Sequence, residues 1–117
     1  MANPVPNLND GSANMSPVAY ERIAANGTLT LGKNLVFLTK ASALGTTTLA
    51  APTNPDMNGQ MVTIVSQTAA AHVITATDLI NGDDDTMTFG AAIGNCIQLY
   101  ADGGEWFSGM LIGVTIS

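Results

Sequence analysis

What this sequence has least of is charge. Asp, Glu, Lys and Arg make up 10% of its 117 residues, against about 25% in ordinary soluble domains. Only Arg22, Lys33 and Lys40 are basic, set against nine acids for a net charge of −6. A phosphate backbone is held by clustered Lys and Arg that release counterions. Three scattered cations cannot do that, so nucleic acid and anionic membrane surfaces are not expected partners.

Cysteine is almost as scarce. Cys96 stands alone, which excludes an intrachain disulfide. It lies in a strand-like run with no basic neighbour to activate a thiolate, so it reads as a small buried apolar residue. His72 is the only histidine. A zinc site needs several His or Cys ligands, and the chain has one of each. Long apolar runs are missing too: none approaches the ~18 residues of a membrane helix. The opening "MANPVPNLNDGSANMSPVAY" has no apolar core, so no secretory leader is expected. The N-x-[ST] matches at Asn14 and Asn26 are then chance. Aromatic residues amount to 5%.

What remains is apolar and β-branched. Hydrophobic residues make up 46%, with 14 Thr, 8 Ile and 7 Val beside only two Glu and two Lys. One domain of this size can bury its own core. With so few charges to cover a monomer's surface, extensive burial against copies of itself or a larger partner is expected.

Residues 1–24 differ from the rest. Three of the five prolines fall here, and no strand or helix period is visible. "SPVAYERIAAN" could hold one helical turn, with Ser16 as cap and Pro17 in first position. The plain reading of this segment is a loose terminus. The sharper one is an extended arm lying on a partner, anchored by Val5, Leu8, Val18, Tyr20 and Ile23.

From Gly27 the texture is β. Strands are expected at 28–31, 34–40, 46–51, 60–67, 72–77, 86–90, 96–101, 105–110 and 112–116. Asn-Gly pairs at 26–27, 58–59 and 81–82 and the run Asp102-Gly103-Gly104 supply turns. In "QMVTIVSQ" Val62 and Ile64 share one side and Met61 and Val65 the other, so this strand is expected to be central and covered on both faces. In "TMTFG" Met87 and Phe89 point one way and threonines the other, a half-exposed strand. Many short strands at this spacing predict an all-β fold, a small antiparallel β-sandwich or jelly-roll-like barrel over residues 25–117.

The chemistry is thin. Asp83-Asp84-Asp85 offers oxygen ligands for Ca²⁺, but calcium loops alternate their ligands, and contiguous side chains diverge. A solvated turn is the stronger reading, and no metal is assigned. Ser66, His72 and Asp78 have no nucleophile elbow around them, and His72 reads as a surface residue at a strand edge. Asp78, Asp102 and Glu105 could pair for sugar chemistry only by accident of fold. Trp106 and Tyr100 could stack on a sugar; a barrel plug or subunit contact suits such large aromatics better. No catalytic residue, cofactor or enzymatic activity is assigned.

The stretches "TTTLAAP" (46–52), "GQMVTIVSQT" (59–68) and "HVITATDLINGDDDTMTFGAAIGNCIQLYADGGEWF" (72–107) resemble the small β modules of tailed-bacteriophage virion proteins, found in capsid decoration (cement) proteins, head fibres and tail-fibre tips. Asn81-Gly82 and the hairpin Gly103-Gly104-Glu105-Trp106 match well; Leu49-Ala50-Ala51-Pro52 and Ser66-Gln67 match loosely. The resemblance spans residues 28–110 and excludes the arm. It implies a homotrimeric, non-catalytic virion structural protein on the outer capsid surface, with itself and the major capsid protein as partners. A fibre or receptor-binding tip and a free-standing ligand-binding β domain are the competing readings.

Overall fold

The computed structural model describes residues 19–117. They form nine strands: β1 (Tyr20–Ile23), β2 (Leu35–Leu38), β3 (Thr47–Thr48), β4 (Met61–Ser66), β5 (Val73–Ile80), β6 (Asp84–Phe89), β7 (Cys96–Asp102), β8 (Glu105–Ile112) and β9 (Val114–Ile116). One 3₁₀ turn, Pro55–Met57, is capped by the Asn54 side chain. The fold is all-β. The strands run in the order β1-β2-β4-β7-β8-β5-β6-β9, with β3 on β5.

β8 meets β5 at a single pair, Ile80 with Trp106. There the path turns over, giving a sandwich-like body. One layer is β1-β2-β4-β7-β8; β5, β6, β9 and β3 form the other. Between them lies one core, with Val36, Leu38, Val62, Ile64, Ile97 and Leu99 from the first layer and Ile74, Ile80, Met87, Phe89 and Val114 from the second. Alternation explains this division. In β4, Val62 and Ile64 are buried; in β6, Met87 and Phe89 are buried while Thr88 is exposed, as a strand with one covered face requires.

The sheet is mixed where the sequence predicted antiparallel. β1–β2, β2–β4 and β3–β5 are parallel ladders. Parallel neighbours need long connections, and the chain supplies them between 24 and 34 and between 39 and 60. The expected strand at 28–31 shrinks to one bridge, Thr28 with Thr48. "SPVAYERIAAN" holds no helical turn over its described residues: Tyr20–Ile23 pair with Leu35–Leu38 as β1. β-branched and aromatic partners favour that pleated ladder over a single isolated turn. Tyr20 and Ile23, expected in the arm, therefore belong to the body. Val5, Leu8 and Val18 lie outside the described residues.

The β8–β9 corner is made at Gly113, with φ +64°. The Asn95 side chain occupies the space a Cβ there would need, and it donates to the Gly90 carbonyl at 3.1 Å. This corner carries the chain from one layer to the other.

Candidate functional site

The site follows from one geometric fact: residues directly opposite in a ladder point to the same side of a sheet. On the outer side of the first layer, Met61 faces Tyr100 and Tyr100 faces Phe107. The next row is Tyr20, Leu35, Thr63 and Gln98. The third is Arg22, Phe37, Val65, Cys96 and Ile112. Of these twelve residues only Arg22 is charged, and nine are apolar or aromatic. The expectation that β4 is apolar on both sides is met in composition. Its outer side is only partly covered among the described residues: Met61 is exposed, Thr63 and Val65 are half-buried, and in the third row Cys96 is buried.

Side chains knit this face together. Tyr20 and Phe37 pack edge to face with ring centroids 6.2 Å apart. The Arg22 guanidinium lies 5.6 Å over the Tyr20 ring, a cation–π contact that suits an exposed cation on an apolar surface. The Tyr100 ring fills the space where a Cβ on Gly109 would sit, which is why a glycine stands there. Beyond it a register shift between Ile97 and Leu99 interrupts the β7–β8 ladder. Met110, Leu111 and Ile112 follow, all exposed. After Trp106, β8 has a strand partner on one side only among the described residues.

Acids form the next row on the same side, beyond Tyr100 and Phe107. Asp102 pairs with Glu105 at the end of the β7–β8 hairpin, two residues along from Tyr100 and Phe107. Glu105 Oε1 is buried and has no hydrogen-bond partner among the described residues. Arg22 sits at the diagonally opposite corner, on β1.

The other residues singled out from sequence are placed apart. Asp83 lies in the turn, but Asp84 and Asp85 belong to β6, where alternation sends them to opposite faces. Asp85 Oδ1 accepts from the Asp78 N–H at 2.8 Å, steadying a residue whose φ is +56°. The described residues bring no three His, Cys, Asp or Glu side chains together around an ion and enclose no pocket. Trp106 is a core residue of the sandwich, its indole N–H donating to the Ala50 carbonyl at 3.0 Å. Tyr100 stands on the outer face instead. The two do not form one platform.

His72 corrects the sequence reading. It is fully buried rather than at the surface. Its Nδ1 accepts from the Leu44 N–H at 3.1 Å. A backbone N–H can only donate, so the proton sits on Nε2, which faces Thr68 Oγ1 at 2.9 Å. The Thr68 hydroxyl in turn donates a hydrogen bond to the Lys40 carbonyl at 2.7 Å. Burial first, and the Lys40 cation second, push the His72 pKa below its ordinary value. The imidazole is a neutral tie between two loops, 39–46 and 67–72. The run "QTAAAH" carried no sign of this, because its partners lie 4 and 28 residues away.

No known protein family, characterised protein or solved structure matches the chain.

Proposed function

We propose that this chain is a structural protein of a bacteriophage virion: a capsid decoration, or cement, protein that binds the outer surface of the head as a homotrimer and stabilises it. The observation that carries the reading is the outer face of the β1-β2-β4-β7-β8 layer. Nine of the twelve residues on its three rows are apolar or aromatic, in a chain that is 46% hydrophobic. A surface of that composition is suited to being covered, since exposed apolar patches of several hundred Å² mark interaction sites. The resemblance over residues 28–110 supplies the kind of assembly. The acidic balance suits an outer surface away from packaged DNA.

In this reading the body makes the trimer and the segment before it attaches to the capsid. Val5, Leu8 and Val18 would be the attachment contacts, while Tyr20 and Ile23 hold β1 in the body. Three attachment segments on one trimer raise the effective concentration at the capsid, so each can be a modest binder.

The test is cryo-electron microscopy of virions assembled with and without this chain. The expected result is symmetric density on the outer head surface, lost in its absence, together with a lower temperature of head rupture. Deletion of residues 1–18 should give a folded body that no longer decorates heads. Density confined to a head fibre or the tail would replace this reading with the fibre one. A chain that never co-purifies with particles would refute both.

A further inference from the structure

We infer that the outer face of the β1-β2-β4-β7-β8 layer is the surface through which copies of this chain meet, and that Arg22 of one copy reaches the Asp102–Glu105 corner of the next. The inference rests on the trimeric reading above and says which surface makes the trimer.

Area comes first. Tyr20, Met61, Tyr100, Phe107, Met110 and Ile112 each expose between 38% and 49% of their surface. At roughly 200 Å² for a side chain of this size, they leave about 500 Å² of mostly apolar surface per copy. The half-buried members of the same rows add to that. Three such faces closed about one axis remove about 1,500 Å² of accessible surface in all, shared among three contacts. A monomer would carry this face, and the edges of β1 and β8, open to water and to any passing strand.

Charge then selects the occupant. At −6, copies repel wherever their acids face each other. The three apolar rows hold no carboxylate, and the acids on this side are gathered in one row at the Asp102–Glu105 end, so copies can approach over those rows without that cost. The corners go further. Arg22 stands at one corner and the acidic pair at the diagonal one, so each copy offers what its neighbour lacks. Asp102 is exposed at that corner and Glu105 is half-buried beside it, so a guanidinium from the next copy meets an accessible carboxylate at Asp102. Symmetric closure through such complementary corners caps the exposed edges.

The experiment measures mass in solution by light scattering, on wild type and on Gln98→Lys, Gln98→Glu and Arg22→Gln. Gln98 is half-buried in the middle row, and either charge there is tolerated by a solvated face but not by a dry one. Circular dichroism melts establish that each variant is folded. Both Gln98 variants should run as folded monomers, while Arg22→Gln should weaken association at least tenfold and remove its salt dependence. In parallel, hydrogen exchange of wild type at high and low concentration should show protection of amides 107–112 that grows with concentration. Monomeric wild type at 100 μM would overturn the inference. So would variants that keep the wild-type mass, or amides 107–112 that are protected at every concentration and freed only by deleting residues 1–18. In that last case the chain's own leading segment covers the face. Head binding, scored separately, tells the two proposals apart: variants that stay oligomeric yet fail to decorate would assign the face to the capsid and leave the decoration reading standing.

Discussion

Acidification should loosen this fold through one residue, His72. In the native state its ring is neutral and every polar atom on it is engaged: Nδ1 by the Leu44 N–H, Nε2 by Thr68. A proton added to Nδ1 would set two N–H groups against each other inside the core. The unfolded chain has no such obstacle and takes up its proton at the ordinary histidine value of about 6.5. Burial, then Lys40, holds the native pKa below that. Above pH 6.5 neither state is protonated and stability is undiminished. As pH falls below 6.5 the unfolded state binds the proton first, and stability declines by at most about 1.36 kcal/mol per pH unit until the native pKa is reached. By pH 5 the loss is at most about 2 kcal/mol, a large share of a small domain's stability. The window that tests this runs from pH 6.5 to 5. Urea unfolding at pH 7.5, 6 and 5 reads this as a falling midpoint at constant slope. In His72→Gln the whole curve is lower, but its pH dependence in this window disappears. A wild-type midpoint that stays flat down to pH 5, or a variant that keeps the wild-type slope with pH, would refute the reasoning.

The acidic run and the core indole give two further tests. Asp85→Ala removes the acceptor for the Asp78 N–H and should lower stability by about 1 kcal/mol, whereas Asp84→Asn should stay within about 0.5 kcal/mol; calcium should shift the melting temperature of neither, and a shift abolished by Asp84→Asn would restore the metal reading. Trp106→Phe loses the bond to the Ala50 carbonyl and some packing, and should lower the unfolding free energy by about 1–3 kcal/mol; an unchanged urea midpoint would show that the indole N–H adds nothing.

Much of the body was legible because its information is local. Period-two patterns placed β2 and β4 to β9 to within a few residues, and Met87 and Phe89 announced the buried side of β6. Parallel pairing was not legible, since nothing within Leu35–Leu38 says that Met61–Ser66 will lie beside it in the same direction. β1 was hidden for a related reason: Tyr-Glu-Arg-Ile is a poor strand by itself and becomes one only on β2. The outer face was half legible. Met61 and Val65 marked one strand as apolar on both sides, but the other rows come from strands up to 92 residues apart in sequence, from Tyr20 to Ile112. His72 was misread because a solitary imidazole looks the same in sequence whether it meets water or a backbone amide.

The strand order also bears on how the chain can be made. β4 sits between β2 and β7, so when Ser66 is added to the growing chain its second neighbour is still about 30 residues from being synthesised. β8 likewise joins β7 to the end of β5. Neither layer can be completed from one half of the chain, so no fragment ending before β8 contains a whole sheet. Folding must wait for nearly the last strand and then form distant pairs together, which places it among the slower topologies, in milliseconds to seconds rather than microseconds. During that wait β4 shows both of its apolar sides at once. A growing chain in this state depends on low local concentration or on a chaperone. The feature that makes the finished sheet good to cover makes the unfinished one easy to lose to aggregation.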